Sequence, residues 1–178
     1  TGLWVASSMP IRDLDSFATP DGPPLAVGAN RWASGIDGAI ASACGFAAGL
    51  KTPVTALVGD LAALHDLNSL TMVAQSNQPM VIVILNNNGG GIFHFLPVAA
   101  CEDVFERYFA AGHGFTFAEA ARQFGLAYQA PTTPEQFTTS LRRLHSEKAS
   151  GIIEVQTDRR ENHAHHLWLI KAVQQRLQ

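Results

Sequence analysis

Two short apolar runs, over residues 54–58 and 80–85, constrain this chain most, because each stops abruptly at polar residues. Gly59-Asp60 follows the first, and Asn86-Asn87-Asn88 then Gly89-Gly90-Gly91 follow the second. Aliphatic, β-branched-rich runs of this length predict strands buried on both faces. Between them Leu61, Leu64, Leu67, Leu70, Met72 and Val73 recur at roughly helical spacing, and Pro79 opens the second strand. Parallel strands joined by a right-handed helical crossover bring their C-terminal ends to one sheet edge, where ligands of open α/β sheets bind. Asp60 and the asparagines are expected to meet at that edge.

One carboxylate, neutral amide oxygens and a backbone carbonyl freed by glycine make a partly filled, all-oxygen site. It suits a hard cation such as Mg²⁺ whose remaining positions go to phosphate oxygens and water. Gly-Asp and Asn-Gly are each common turn formers, so either pair alone carries little. Their combination at this separation points beyond turns.

The rest of the chain alternates in the same manner. Strands are predicted over 3–6, 25–27, 126–129 and 151–155, and a small-residue helix over 36–50. Ile11, Leu14 and Phe17 mark one short helical face. Thr116 with Glu119 forms a capping-box pattern for a helix ended by Gly125, and Thr133-Pro134 opens another. Residues 97–114 read as a loop containing one short helix, in which Glu102 and Glu106 are solvated. Residues 158–166 read as a polar linker, with His163, His165 and His166 in solvent, and 167–177 as an amphipathic helix. The alternation predicts an α/β fold with a doubly wound, mainly parallel sheet flanked by helices. At 178 residues, one domain over 1–178 is expected.

Composition excludes several classes. A net charge of −3 leaves no basic surplus for nucleic acid, and no apolar run reaches the ~18 residues of a membrane span. The start lacks the charged opening of a signal peptide, so a cytoplasmic location is expected. Cys44 and Cys101 have neither disulfide-framework nor metal-ligand spacing and read as free thiols. Arg12 and Arg31 follow the first two strands at the edge that carries Asp60. They read either as carboxylate or phosphate contacts or as solvated surface arginines.

Gly59-Asp60, with Asn87 as the second residue of an Asn-Asn pair, resembles the signature of thiamine-diphosphate-dependent enzymes. The stretches GDLAALHDLNSL, NNNGGGIFHFLP, NRWASGIDG and SSMPIRD are similar to one branch, the 2-succinyl-5-enolpyruvyl-6-hydroxy-3-cyclohexene-1-carboxylate (SEPHCHC) synthases of menaquinone biosynthesis. The resemblance implies a diphosphate-binding domain in which Asp60, Asn87 and the Gly89 carbonyl hold Mg²⁺ or Mn²⁺. Gly59, Leu61, Ile36, Gly90 and Ile92 would also contact thiamine diphosphate, Ile36 by propping its bent form. Leu61 departs from the Gly usual after Gly-Asp, and Trp32 from the Gly usual in that branch. Arg12, Arg31, Ser8, Ser34, Phe93 and Leu96 are implied to meet substrate.

The implied activity is that of a carboligase, a transferase that decarboxylates 2-oxoglutarate and adds the succinic semialdehyde unit to isochorismate. The resemblance implies that this chain corresponds to the diphosphate-binding domain without the family's pyrimidine-binding and central domains, the first of which would carry the activating Glu. The resemblance implies that a second subunit supplies that domain in a homodimer or homotetramer, the small residues of 39–49 suiting such an interface. By itself the chain is expected to be inactive, to bind cofactor weakly and to self-associate. Two alternatives stay open: another thiamine-diphosphate enzyme, of the acetohydroxyacid synthase or decarboxylase type, and a non-catalytic phosphate-binding α/β module.

Overall fold

In the two strands that the apolar runs form, neighbouring side chains point to opposite faces, and both faces are covered. Val54, Ala56 and Val58 of β3 (Val54–Gly59) and Met80, Ile82 and Ile84 of β4 (Met80–Asn86) lie in one apolar cluster. Val81, Val83, Leu57 and Leu85 lie in another. The computed structural model describes residues 1–19, 21–22, 24–30 and 35–177. The remaining elements are β1 (Gly2–Val5), α1 (Met9–Phe17), β2 (Ala26–Ala29), α2 (Ala39–Leu50), α3 (Asp60–His65), α4 (Leu70–Gln75), α5 (Glu102–Val104), α6 (Ala118–Gln123), β5 (Ala127–Gln129), α7 (Pro134–Ser146), β6 (Gly151–Gln156) and α8 (Arg159–Arg176).

The chain forms two compact units. One comprises Thr1–Asn86 with Thr116–Gln156, the other Asn87–Phe115 with Thr157–Gln178. The first holds a six-stranded sheet of order β2-β1-β3-β4-β6-β5, parallel at every pairing. The expected doubly wound parallel sheet is therefore present. Its chain leaves β1 for β2 on one side and returns to β3 on the other, so the topological switch lies between β1 and β3.

The first cluster gathers residues of α2, α3, α4 and α6, and the second those of α7 with Phe137, Leu141 and Leu144. Thr133 caps α7 as expected, its Oγ1 accepting from Gln136 N. Thr55, on the α7 side, meets His145 Nε2 at 2.9 Å. Burial, and then the N-terminal charge, hold that imidazole below its ordinary pKa.

α2 begins three residues later than its small-residue pattern predicts, because Gly38 at its N-cap is left-handed (φ 68°) and has no side chain to offer. The cap comes from Asp66, whose Oδ2 accepts from Ile40 N at 2.6 Å and Ala41 N at 2.9 Å. Asp66 leaves helical geometry (φ −117°, ψ 25°). The expected helix between β3 and β4 is accordingly broken into α3, a 3-10 turn at Leu67–Ser69, and α4.

Two local expectations are corrected. Thr116 and Glu119 form no capping box: α6 has Phe117 at its N-cap without a side-chain cap. The Phe117 N–H instead donates to buried Glu154, and Glu119 pairs with Arg122. Nor is 158–166 a linker. Asp158 Oδ1 accepts from Arg160 N and Glu161 N at 2.8 and 2.9 Å, so α8 starts at Arg159 and runs unbroken to Arg176. It has no buried residue, and Leu167, Trp168, Ile170 and Val173 stay exposed.

The second unit is built from 3-10 turns at Gly91–Phe95 and Pro97–Ala100, α5, a π-helical stretch at Phe105–Ala110, and α8 packed on the 91–95 turn. The predicted loop of 97–114 is thus mostly helical turns.

Candidate functional site

In the first unit, the strand ends flanking the switch place β1's exit beside that of β3: Ala6 N donates to Leu57 O at 2.9 Å. Ser7 and Ser8 follow directly, and Ser8 is left-handed (φ 69°) at the N-cap of α1. Its carbonyl accepts from Arg12 Nη1 at 2.7 Å. Arg12 is otherwise exposed. Ser7 Oγ donates to Gly35 O at 3.1 Å.

Asp60 ends the run of β3 as the first residue of α3 and is 2% exposed. Leu61 N donates to Asp60 Oδ1 at 2.7 Å. A Cβ on Gly59 would meet nothing within 4 Å, so the approach over that backbone is open. Ile36 packs, partly buried, on the first apolar cluster. Asn86, at the end of β4, donates to Glu154 Oε1 at 2.6 Å.

The second unit begins with the asparagine–glycine segment, and its backbone is tightly specified. Asn88 is left-handed (φ 60°), and its Oδ1 accepts from His113 N and Gly114 N at 2.9 and 2.8 Å. Gly89 sits at φ 133°, and a Cβ there would fall 2.1 Å from Ala110 O. Only glycine fits. Gly90 N donates to that same carbonyl at 2.6 Å, and Gly91 N to Gly89 O at 3.0 Å.

Among the described residues, Asn87 Oδ1 is buried without a hydrogen-bond partner. An orphan acceptor of this kind is costly unless something electropositive satisfies it. Asp60 in the first unit offers a buried carboxylate and Gly89 in the second a backbone carbonyl. By type, each of these oxygens is a donor that a hard cation such as Mg²⁺ or Mn²⁺ takes. Further along, Phe93 meets Phe109 edge-on with centroids 5.6 Å apart, Ile92 is partly buried, and Leu96 is 48% exposed.

The expected site residues therefore divide. Ser8, Arg12, Ile36, Gly59, Asp60 and Leu61 belong to the first unit, and Asn87, Gly89, Gly90, Ile92, Phe93 and Leu96 to the second. Arg31 and Ser34, with Trp32, lie outside the described residues.

Several polar residues escaped the sequence reading. Glu154 is fully buried in β6 and accepts from Asn86, Phe117 N and the Tyr128 hydroxyl. Glu106, expected to be solvated, pairs with Arg159 and Arg160, and the Arg160 bond is the first cause of its lowered pKa. The histidines expected in a solvated linker are partly packed: His163 meets His94 and Phe95, and His166 meets Phe95. Burial, then Arg159, holds His94 below its ordinary pKa. Cys44 and Cys101 are free thiols as expected, and burial, then Asp66, pushes Cys44 up to about 11. Among the described residues no helix is long and apolar enough to cross a membrane.

The family described as thiamine pyrophosphate enzyme, C-terminal TPP binding domain, matches residues 14–155. The chain belongs to that family. This TPP-binding domain is 56% identical over 169 residues to the SEPHCHC synthase of Rubrobacter xylanophilus, an alignment covering 95% of the chain and 29% of that relative. It is 51% identical over 167 residues to the SEPHCHC synthase of Chlorobium phaeobacteroides, covering 93% and 29%. The TPP-binding domain thus spans under a third of the length of either relative. Among solved structures, benzoylformate decarboxylase from Polynucleobacter necessarius superposes with a TM-score of 0.73 over 89% of the chain and 30% of that structure. At 19% identity that likeness speaks for the fold alone.

Proposed function

We propose that this domain is the diphosphate-binding part of a SEPHCHC synthase, acting in menaquinone biosynthesis on 2-oxoglutarate and isochorismate. The observation that carries the cofactor reading is the orphaned, buried Asn87 Oδ1. It belongs to a segment whose glycine backbone allows no side chain at position 89. Asp60, Asn87 and the Gly89 carbonyl would hold Mg²⁺ or Mn²⁺, with Gly59, Leu61 and Gly90 beside the diphosphate. Identity of 56% to a SEPHCHC synthase supports that branch over other TPP enzymes.

Thiamine diphosphate supplies the electron sink for decarboxylation, and the protein supplies orientation and charge. Burial of Asp60 keeps its carboxylate away from bulk water, where it attracts a cation more strongly. Arg12, at the exit of β1, and Arg31 would orient substrate carboxylates, with Ser8 and Ser34 beside them. Ile36 would prop the cofactor's bent form, and Ile92, Phe93 and Leu96 would make an apolar wall that excludes water. A pyrimidine-binding domain from a second subunit completes the crevice in a homodimer or homotetramer and brings the activating Glu. The domain alone is then inactive, and the active protein works in the cytoplasm.

The test is turnover of 2-oxoglutarate with isochorismate by the full-length protein. Arg12→Ala and Arg31→Ala should each lower kcat/KM by on the order of thirty-fold or more, as for losing one side of a charged contact. Undiminished turnover in both variants would remove the substrate assignment. Robust turnover by residues 1–178 alone would remove the requirement for the second domain.

A further inference from the structure

Within the second unit, the segment carrying Asn87 and Gly89 is gripped from α8. Arg159 Nη1 donates to Asn88 O at 2.7 Å, and the side chain is only 13% exposed. Its Nη2 pairs with Glu106 Oε2, and Glu106 Oε1 takes Arg160 Nη2 at 2.9 Å. The Asn88 carbonyl lies between the two residues assigned to the metal. Planar peptides leave only the φ and ψ angles of the intervening residues free between them, and here those are restrained by the bonds of Asn88 Oδ1 and by Gly90 N donating to Ala110 O. On its other side, Asn88 Oδ1 is held by the His113 and Gly114 amides.

We infer that Arg159 is a positioning residue for the metal-binding segment: its guanidinium, aimed by Glu106, fixes the Asn88 carbonyl and so sets the directions of the Asn87 side chain and the Gly89 carbonyl. This rests on the metal reading above. A planar fork with several donors holds a carbonyl and a carboxylate at once, which the single ammonium of lysine cannot do in the same geometry. Arg159 would touch neither metal nor substrate. Its effect is that of a residue orienting a ligand, whose loss commonly weakens metal binding by about ten- to a hundred-fold.

The test compares Arg159→Lys, Arg159→Ala, Glu106→Gln and Asp60→Ala in the full-length protein. Three quantities are read: Mg²⁺ affinity in the presence of thiamine diphosphate, thermal midpoint without either ligand, and amide hydrogen exchange at His113 and Gly114. Both Arg159 variants should weaken Mg²⁺ by on the order of tenfold or more and speed exchange at those amides, with the ligand-free midpoint nearly unchanged. Glu106→Gln should move both readouts in the same direction by less. If Arg159→Ala fails to fold, Arg159→Lys decides. Unchanged Mg²⁺ affinity or unchanged exchange in Arg159→Lys, while Asp60→Ala loses Mg²⁺, would overturn the positioning role and leave the metal reading standing. Unchanged Mg²⁺ affinity in Asp60→Ala would overturn the metal reading and the positioning role with it.

Discussion

The Tyr128 hydroxyl donates to Glu154 Oε2 at 2.7 Å, reaching from β5 to a carboxylate buried in the neighbouring strand. Two further donors, Asn86 Nδ2 and Phe117 N, complete the shell of Glu154. The group therefore joins the end of β4, the start of α6 and β5 through one side chain. Replacing Glu154 with Gln puts an amide donor where only acceptors fit. A destabilisation of about 1–3 kcal/mol is expected, measured as a lowered urea midpoint.

The same pair predicts an alkaline sensitivity. Burial, followed by the bond to Glu154 and its charge, raises the Tyr128 pKa above its ordinary value. Below about pH 10 both folded and unfolded chains keep the phenolic proton, so the contribution to stability is whole. As pH rises beyond that, the unfolded chain loses the proton first, binds fewer protons than the native state, and stability falls. Urea midpoints from pH 7 upward should drop above about pH 10, and Tyr128→Phe should lack that component of the drop.

Asp66 is predicted to matter more to α2 than any residue within that helix's own first turn. Asp66→Ala leaves the Ile40 and Ala41 amides without their acceptor. A loss of about 1–2 kcal/mol is expected from chemical unfolding, in the range of an ordinary N-cap. Ser69→Ala, which removes a donor to the other carboxylate oxygen, should cost less.

Gly89→Ala should be far worse than alanine at an ordinary glycine. The backbone at φ 133° is one that L side chains rarely adopt, and the new methyl would sit 2.1 Å from Ala110 O. Strain of this kind costs on the order of 1–3 kcal/mol even before the clash. The variant should show a lowered thermal midpoint and faster amide exchange at Gly90. Gly114→Ala, where φ is 68° but a Cβ meets nothing within 4 Å, should be milder on both readouts.

Much of the architecture is legible where local pattern and tertiary environment agree. Residues 54–58 and 80–85 are β-branched-rich and apolar because both faces of β3 and β4 are covered, so their strands can be read directly. Thr133-Pro134 marks the start of α7 because its cap lies in its own sequence. Where the cap comes from elsewhere, the pattern misleads. α2 is closed by Asp66, and the Phe117 amide is taken by Glu154, which no short window of sequence can show. The start of α8 was nevertheless available in sequence, since Asp158 with Glu161 three residues on is an N-terminal signal that polarity and histidines obscured. Asp60, Asn87 and Gly89 stand out by residue type and spacing. Arg159 does not, because its partners Asn88 and Glu106 are distant in sequence.

In the proposed function Asp60 anchors the metal through which this domain holds a diphosphate cofactor. Calorimetric titration of thiamine diphosphate into the full-length protein, with and without Mg²⁺, tests it most directly when wild type and Asp60→Ala are compared. Wild type should bind with affinity strongly enhanced by Mg²⁺, and Asp60→Ala should lose that enhancement while keeping its fold by circular dichroism. Equal Mg²⁺-dependent affinity in the two proteins would contradict the claim.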